Sequence, residues 1–259
     1  GAALPITTGG RNFYYSDYRC TGGMKVYRYD NYTCCSGTYF QCTADYWNLI
    51  YYHDDEGLYV NLYVPSEVAW RRGGDAIGLR QETDYPIGEV TTVTVHVPRS
   101  TAFPLRFRVP GWCDGMSVKV NGAPVDVSCT PGTWATVART WEPGDRVEVR
   151  IPQAFRWQPV DRHHPHRSAI VRGAVVMPLE FRYLEPGFRL PQDDEGLNEW
   201  LTPDTGDEVV KGLSSRGAYL VRGTNGRPLM AKVRPFFQYT ENYPYLMYMD
   251  GEDWPARLW

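Results

Sequence analysis

The sequence lacks the features that mark several common functional classes. It has no apolar run near the roughly 20 residues that a membrane-spanning helix needs. Its 27 basic residues are outnumbered by 30 acidic ones, so it has no basic excess with which to bind nucleic acid or an anionic membrane. A phosphate-binding loop and a Gly-x-Ser-x-Gly nucleophile turn are both missing. The sequence therefore predicts no nucleic-acid partner, no membrane partner and no serine-hydrolase chemistry.

Cysteine is scarce and unevenly spaced. The six cysteines are at positions 20, 34, 35, 42, 113 and 129, and this spacing is not that of a disulfide framework. Cys113 and Cys129 flank a predicted hairpin and are candidates for one disulfide, if their geometry permits it. The chain starts at Gly1 without a recognisable signal peptide, which predicts a processed or truncated start.

Aromatic side chains, by contrast, are abundant. Nine Trp and nineteen Tyr among 259 residues favour a β-rich core, because aromatic residues are enriched in strands. The alternative is a cleft in which aromatic rings stack on sugars. With 42% hydrophobic residues, the chain can bury a core in one or two domains.

One segment has the periodicity of a helix. From about Tyr39 to Tyr51 the apolar residues recur at helical spacing, and residues 54–57 (DDEG) are predicted to end the helix. Ser36 or Thr38 is a candidate N-cap. This is the single helix that the sequence predicts.

Most later segments alternate between apolar and polar residues, as half-buried strands do. The alternating stretches are residues 58–64, 92–97, 105–109, 118–120 and 147–151. Asn121-Gly122 predicts a hairpin turn in which both residues have positive φ. Regular spacing of short strands and turns predicts a β-sandwich.

The last hundred residues predict a second β-unit. Residues 159–167, rich in Pro, His and Arg, are predicted to join it to the sandwich, and residues 169–181 to form one continuous buried strand. Residues 186–212 are predicted to be an acidic surface loop. The predicted fold is mainly β, with a short N-terminal helical segment. The predicted domains are residues 1–56, carrying the helix, 57–159, the β-sandwich, and 160–259, the second β-unit.

The adjacent pair Cys34-Cys35 precedes Ser-Gly-Thr and the predicted helix. Neighbouring side chains point in different directions, so each sulfur needs its own partner or both converge on a metal ion. A position just ahead of a helix N-terminus favours the thiolate, the form of cysteine that attacks carbon and binds metals. The alternatives are two buried thiols, or a disulfide from one of them to Cys20 or Cys42. All four cysteines are also potential sulfur ligands for one zinc ion.

The same segment is one of a series of short motifs that run in a fixed order through most of the chain. They are residues 13–18 (FYYSDY), 25–27 (KVY), 34–39 (CCSGTY), 48–51 (NLIY), 57–63 (GLYVNLY), 66–68 (SEV), 108–112 (RVPGW), 120–122 (VNG), 141–145 (WEPGD) and 171–173 (VRG). Together they resemble the zinc-dependent, cysteine-nucleophile glycoside hydrolases typified by bacterial β-L-arabinofuranosidases, the DUF1680 group.

The resemblance implies a role for each cysteine of the pair. Cys34 would be the nucleophile and Cys35 a zinc ligand, with the Cys34 thiolate kept ionised at the same metal, so that both are metal-site residues. The thiolate would attack the anomeric carbon of an L-arabinofuranoside or a related plant-type glycan. Water would then hydrolyse the thioglycosyl intermediate with retention. The implied cofactor is zinc and the implied partner is carbohydrate.

Upstream of Cys34 the sequence departs from the family pattern. Family members carry a Glu-x-Cys pair of zinc ligands and a separate glutamate acid/base in a helical toroid, whereas no glutamate here precedes Glu56. We therefore expect the chain alone to lack the acid/base and half of the zinc shell. It would then be a fragment, a reduced relative, or a subunit that works with a separate helical catalytic chain or as a homo-oligomer.

Two further expectations follow from this departure. Docking to a separate chain predicts an exposed apolar patch around Phe40, Trp47 and residues 13–18, which would have lost their usual cover. The alternative function is a non-catalytic carbohydrate-binding module that uses the aromatic surface of the sandwich.

The remaining histidines and carboxylates are predicted to be structural. Residues 163–166 (HHPH) are interpreted as an exposed turn rather than a metal site, and His53 and His96 as surface residues at a helix end and on a strand. The acidic runs 54–56, 82–84 and 193–195 are interpreted as solvated turns. Glu67 and Glu180 are predicted to be partly buried, with Arg172 or Arg182 as the partner of Glu180.

Overall fold

The chain folds into two compact units, one formed by residues 41–153 and the other by residues 1–40 together with 154–259. The computed structural model describes residues 15–16, 25–26, 41, 44–181, 191–204, 217–222, 228–239 and 244–250. Within the first forty residues, two short strands, β1 (Tyr15–Ser16) and β2 (Lys25–Val26), pair antiparallel. Among the described residues, none of the helices has the length and apolarity to cross a membrane.

The described part of residues 41–153 includes a 3-10 helix followed by ten strands. The helix is Tyr46–Leu49. The strands are β3 (Tyr51–His53), β4 (Leu58–Val60), β5 (Ser66–Arg72), β6 (Asp75–Thr83), β7 (Val90–His96), β8 (Thr101–Arg108), β9 (Ser117–Val120), β10 (Ala123–Pro124), β11 (Trp134–Trp141) and β12 (Arg146–Arg150). Six of them form an antiparallel sheet in the order β10-β9-β12-β7-β6-β5, and four form a sheet in the order β11-β8-β4-β3, in which β4 runs parallel to β8.

The two sheets share one hydrophobic core, which confirms the predicted β-sandwich. Val93 and Val95 of β7 and Leu105 and Phe107 of β8 are all buried in the same cluster, and the residues between them face outward. Trp141 at the end of β11 is fully buried, and its indole Nε1 donates a hydrogen bond of 2.9 Å to the Phe103 carbonyl. Full burial of one large apolar side chain contributes about 1.5–3 kcal/mol. Alternation in the sequence therefore corresponds to the inward and outward faces of real strands.

The predicted Asn-Gly hairpin is also confirmed. Asn121 and Gly122 have φ of 51° and 82° and join β9 to β10. The Asn121 amide donates to Asp145 Oδ1 at 2.8 Å, and its oxygen accepts a hydrogen bond of 2.9 Å from the Arg146 amide. The side chain of the turn residue thus ties this hairpin to the start of β12.

The predicted helix over residues 39–51 is wrong at its C-terminal end. The helical segment ends with the 3-10 helix at Leu49, and Tyr51 lies in β3, paired with Val60 of β4. Residues 54–57 are therefore the turn between two strands, where the Asp54 carboxylate accepts hydrogen bonds of 2.7 Å and 2.9 Å from the amides of Gly57 and Glu56. His53 accordingly lies at a strand end. Pairing with β4 outweighs the helical periodicity here.

The described part of residues 154–259 is also β-rich. Its elements are β13 (Phe155–Pro159), β14 (Arg167–Arg172), β15 (Val175–Val176), β16 (Leu179–Phe181), helix α1 (Asp194–Trp200), β17 (Leu201–Pro203), β18 (Tyr219–Arg222), β19 (Pro228–Val233), a 3-10 helix (Phe236–Gln238) and β20 (Met249–Asp250). One sheet has the order β13-β14-β15, with β20 also paired to β14, and the other has the order β16-β19-β18-β17.

Two sequence predictions for this unit are wrong. Residues 169–181 span parts of three strands instead of one, because Gly173 with φ of 56° turns the chain between β14 and β15. The predicted loop over residues 186–212 contains α1 and β17. The α1 helix forms because Asp193 caps it, accepting a hydrogen bond of 2.7 Å from the Gly196 amide.

Candidate functional site

The predicted nucleophile Cys34 and the predicted zinc ligand Cys35 lie outside the described residues, as do Cys20 and Cys42. The described strands β1 and β2 carry two of the motifs that precede the pair in sequence, and Ser16 pairs with Lys25 between them. The assignments of Cys34 and Cys35 therefore remain predictions.

Zinc is compatible with the donor chemistry of this cysteine pair. Two thiolates are ligands that zinc prefers, and they would supply two of its usual four positions. Within the described ranges, no three or more His, Cys, Asp or Glu side chains lie close enough together to hold a metal ion.

The two described cysteines are poor nucleophiles. Cys113 is buried in the sandwich core and Cys129 is half-buried against it, and neither is in a disulfide. Burial raises the pKa of both thiols, so both remain protonated at neutral pH. The candidate disulfide between them is thus not formed in this structure, and their chemistry is that of small apolar residues.

A polar and aromatic group of five side chains occupies the outward side of the four-stranded sheet. This Arg106 cluster consists of Asp54, Glu56, Tyr59, Arg106 and Trp134. The Arg106 guanidinium lies 4.6 Å from the centre of the Tyr59 ring and forms ion pairs with Glu56 at 2.7 Å and Asp54 at 3.3 Å. The Trp134 ring meets the Tyr59 ring edge-on, with 5.0 Å between the ring centres.

Strand register explains why these residues meet. Tyr59 of β4 lies directly beside Arg106 of β8, and Trp134 of β11 lies beside the next outward residue of β8, Arg108. The turn after β3 brings Asp54 to the same side, where its Oδ2 accepts a hydrogen bond of 2.7 Å from the Tyr59 hydroxyl. The cluster is therefore fixed by backbone pairing in a single rigid sheet.

The electrostatics of the Arg106 cluster favour binding over proton transfer. The hydrogen bond from Tyr59, followed by that from the Gly57 amide, lowers the pKa of Asp54 from 3.8 to about 2. The same contact with Asp54 raises the pKa of Tyr59. Because neither group changes its protonation near neutral pH, neither is suited to general acid–base catalysis. The cluster offers fixed hydrogen-bonding groups around aromatic rings.

A second candidate is the buried ion pair of Glu180 and Arg234. Glu180 lies on β16 and Arg234 directly follows β19, and Arg234 Nη2 lies 2.5 Å from Glu180 Oε2. The predicted burial of Glu180 is confirmed, and Arg234 is a partner that the sequence did not indicate. Arg182, one of the two predicted partners, lies outside the described residues. Glu67, by contrast, is exposed, and only an ion pair of 3.7 Å with Arg80 holds it.

The histidine-rich segment forms an exposed turn between β13 and β14, as predicted. Asp161 Oδ1 accepts hydrogen bonds from the amides of His163 and His164 at 2.7 Å and 2.9 Å. The His164 ring lies 3.0 Å from the same carboxylate. The Asp161 side chain thus organises the turn itself.

The acidic runs likewise have structural partners. Glu82 forms an ion pair of 3.4 Å with Arg80. Asp194 Oδ1 accepts a hydrogen bond of 2.8 Å from the Trp157 amide, and the neighbouring Asp193 caps α1. The sequence indicates only solvated turns for these runs, whereas in the structure Asp194 joins α1 to β13 and Asp193 caps α1.

Comparisons with known proteins identify what the chain resembles in sequence and in fold. Residues 57–153 match the family model for the β-L-arabinofuranosidase GH127 middle domain. No curated protein sequence matches the chain.

Three solved structures resemble this chain over 95% of its length. One is a glycoside hydrolase, with 21% identity, a TM-score of 0.69, and coverage of 95% of this chain and 46% of its own. Another is the GH127 β-L-arabinofuranosidase of Geobacillus stearothermophilus T6, with 20% identity, a TM-score of 0.65, and coverage of 95% and 44%. A third is a GH127 β-arabinofuranosidase, with 18% identity, a TM-score of 0.66, and coverage of 95% and 43%.

The structural matches establish the fold, and the chain spans less than half the length of each of these three proteins. The family model adds a sequence match over most of the sandwich. Both findings agree with the resemblance carried by the motifs between residues 13 and 173. Residues 57–153 therefore match a GH127 middle domain, and the chain shares its fold with GH127 β-L-arabinofuranosidases.

Proposed function

We propose that the chain is the C-terminal part of a retaining glycoside hydrolase that acts on L-arabinofuranosides or related plant-type glycans. The observation that supports this most directly is the GH127 middle domain at residues 57–153. The cysteine pair at positions 34 and 35 precedes that domain in sequence, and its Cys-Cys-Ser-Gly-Thr motif carries the resemblance to cysteine-nucleophile enzymes.

In this proposal Cys34 carries out the first chemical step. Its thiolate forms a sulfur–carbon bond at the anomeric carbon while the bond from that carbon to the leaving oxygen breaks. In the second step water attacks the same carbon, the sulfur leaves as a thiolate, and the sugar is released with retained configuration. A zinc ion bound at Cys35 would keep the Cys34 thiol ionised near neutral pH.

Departure of the aglycone normally requires an acid, which the family pattern assigns to a glutamate upstream of the cysteine pair. A dinitrophenyl L-arabinofuranoside removes that requirement, because dinitrophenolate leaves without being protonated. The first step can then be tested with the 259-residue chain itself. We expect a covalent adduct of one anhydropentose on Cys34, detected by mass spectrometry of the intact protein and its peptides.

Matched variants locate the adduct. Cys34→Ser should abolish it, and Cys129→Ser should leave it unchanged, because burial keeps that thiol protonated. Cys35→Ser should lower both the zinc content and the rate of adduct formation. An adduct of equal yield on the Cys34→Ser variant, or none on the unmodified chain, would refute the role of Cys34.

The second candidate function is non-catalytic carbohydrate binding by the sandwich. The observation that favours it is the Arg106 cluster, in which aromatic rings and paired charges share one outward sheet face. The two carboxylates of Asp54 and Glu56 balance the charges of Arg106 and of the neighbouring Arg108, which donates to the Asn61 carbonyl at 2.7 Å. These four side chains together carry no net charge, which suits a neutral polyhydroxylated ligand. Calorimetric titration with arabinan oligosaccharides tests this function. Trp134→Ala should weaken binding at least tenfold, whereas Val90→Ala on the other sheet should not.

A further inference from the structure

Two of the motifs that run through the chain, VNG at residues 120–122 and WEPGD at residues 141–145, meet in the sandwich. The Asn121 side chain donates to Asp145 Oδ1 at 2.8 Å, and Asp145 Oδ2 accepts a hydrogen bond of 3.0 Å from the Glu142 amide. The backbone amide of Asn121 also donates to the Arg146 carbonyl at 2.8 Å. The proposed catalytic step uses none of these residues, so the contact between the two motifs has a role of its own.

Asn121 and Gly122 have the local chemistry of a deamidation site. Both residues are exposed, and glycine has no Cβ to hinder the approach of its backbone nitrogen to the side-chain carbon Cγ of the preceding asparagine. In the reaction the Gly122 nitrogen loses its proton and bonds to Asn121 Cγ, while the side-chain nitrogen of Asn121 leaves as ammonia. Water then opens the resulting succinimide at one of its two carbonyls, which gives aspartate or isoaspartate at position 121.

The folded sandwich restrains this reaction. Both polar atoms of the Asn121 side chain are held, because its nitrogen donates to Asp145 and its oxygen accepts a hydrogen bond of 2.9 Å from the Arg146 amide. These contacts fix the carbon between the two atoms on the β12 side of the turn, so the side chain must leave both partners before it can react. Breaking two hydrogen bonds lowers the population of the reactive conformation by roughly tenfold or more.

The product carries a new negative charge beside an existing one. Asp145 is 8% exposed, and although its burial favours the neutral form, the hydrogen bonds from Asn121 and Glu142 lower its pKa. Asp145 is therefore ionised near neutral pH. Deamidation replaces the donor that faces Asp145 by a second carboxylate, and two like charges at this distance repel. Arg139 offsets the repulsion only in part, because its side chain is 40% exposed and its nitrogen lies 3.9 Å from Asp145.

We propose that Asn121 is a site of spontaneous deamidation that the folded chain delays through Asp145 and Arg146, and that the product loosens the hairpin of β9 and β10 from β12. The proposal is independent of the glycosidase and sugar-binding functions, since it uses no residue of the cysteine pair or of the Arg106 cluster.

The rate of deamidation in the 259-residue chain tests the first part of the proposal. The chain is incubated in a slightly alkaline buffer, folded in one sample and unfolded by urea in another. Mass spectrometry of the tryptic peptide 120–139 follows the conversion of the amide to an acid. We expect conversion in both samples, slower by roughly tenfold or more in the folded one. Equal rates in the two samples, or no conversion in the unfolded one, overturn the proposal.

A matched pair of variants identifies the restraint. Asp145→Ala removes one partner of Asn121 and should raise the folded rate by roughly threefold or more, which is the effect of one lost hydrogen bond. Glu148→Ala removes an exposed carboxylate of β12 that pairs with Lys119, and should leave the rate unchanged. Exchange in peptides of β7 verifies that both variants are folded, and if Asp145→Ala is not, the comparison of the folded and unfolded unmodified chain decides the first part. Equal rates for two folded variants overturn the proposal.

Two variants of Asn121 test the second part. Asn121→Asp reproduces one product, and Asn121→Gly removes the same side-chain hydrogen bonds without adding a charge, since glycine accepts the φ of 51° at this position. Hydrogen exchange in peptides of β9 and β12 should be roughly tenfold faster in Asn121→Asp than in Asn121→Gly, because only the aspartate repels Asp145. Equal exchange in the two variants overturns the proposed effect of the product.

Discussion

The ion pair between Glu180 and Arg234 makes a strong prediction because both side chains are almost fully buried. Their residues are 8% and 7% exposed, the closest nitrogen–oxygen distance is 2.5 Å, and the guanidinium also lies 5.5 Å from the centre of the Tyr239 ring. Glu180→Gln removes the negative charge while keeping the shape of the side chain. Arg234 then loses the negative charge of the carboxylate that lies 2.5 Å from its guanidinium.

The expected cost follows from the asymmetry of buried ion pairs. Removing one partner typically costs about 3–5 kcal/mol, whereas replacing both partners with apolar residues of similar size is often neutral or stabilising by about 1–4 kcal/mol. We therefore expect Glu180→Gln and Arg234→Met each to destabilise their unit by about 3 kcal/mol or more. The double replacement Glu180→Leu with Arg234→Met should recover most of that loss.

Hydrogen exchange measured by mass spectrometry suits a chain with two units, since each unit supplies its own peptides. Peptides of β19 should exchange on the order of 10² times faster in Glu180→Gln, which corresponds to about 3 kcal/mol, while peptides of β7 should be unaffected. Glu67→Gln is the matched control, because the pair of Glu67 with Arg80 is exposed and worth at most about 1 kcal/mol. If Glu180→Gln costs no more than Glu67→Gln, the reasoning about burial is refuted.

Three further predictions concern individual contacts. Trp141→Phe leaves the buried Phe103 carbonyl without its donor and should destabilise the sandwich by roughly 2–4 kcal/mol, measured by exchange in peptides of β8. Asn198→Ala removes hydrogen bonds of 2.9 Å and 2.7 Å to the Phe155 amide and carbonyl. It should lower the free energy of the opening that exposes β13 to exchange by roughly 1–3 kcal/mol. The ionised Asp54 carboxylate stabilises the fold fully above its unfolded pKa near 3.8, and that contribution is lost as the pH falls toward the folded pKa of about 2. The difference in Tm between the unmodified protein and Asp54→Asn should therefore narrow across this range.

Each of these has an outcome that contradicts it. A Trp141→Phe variant within about 0.5 kcal/mol of the unmodified protein would mean that the indole hydrogen bond contributes little. If Asn198→Ala speeds exchange throughout its unit and not only in β13, then Asn198 stabilises the whole unit, which contradicts a local role at the edge of β13. A Tm difference for Asp54→Asn that is constant down to pH about 2 would contradict the lowered pKa.

The strands that the sequence predicted best are those with one face buried. Alternation of apolar and polar residues with the period of a strand predicts the buried positions Val93, Val95 and Leu105. The Asn121-Gly122 pair predicts the hairpin turn, because few residue pairs adopt positive φ twice. The hairpin of β5 and β6 was overlooked, although Gly73-Gly74, with φ of 56° and 94°, gives the same kind of signal.

The errors arise where tertiary contacts override local pattern. Aromatic residues at positions 46–51 have helical spacing, yet Tyr51 joins a strand because β4 offers it a pairing partner and because Gln81 donates a hydrogen bond of 2.9 Å to its hydroxyl across the core. At residues 193–195 the acidic character suggested a loop, whereas Asp193 in fact starts a helix. Acidic residues favour both loops and first helical turns, so composition alone does not separate the two.

Some candidate site residues are also predictable from the sequence, whereas others depend on tertiary contacts. The motif alone indicates Cys34 and Cys35, because reading it requires no knowledge of the fold. Both residues lie outside the described part of the chain. The Arg106 cluster was not found, because it depends on which strands are neighbours. Tyr59 and Arg106 are far apart in sequence and become adjacent only through the parallel pairing of β4 with β8.

The division of the chain also has a consequence for how the protein is made. Residues 41–153 are continuous, so this unit can fold soon after it leaves the ribosome, whereas residues 1–40 belong to a unit that is completed only after residue 153. At roughly 5–20 residues per second, the first forty residues wait for several seconds or longer before their partners are synthesised. Those forty residues include Cys34 and Cys35. Cys34, the proposed nucleophile, is thus synthesised several seconds or more before residues 154–259, which complete its unit.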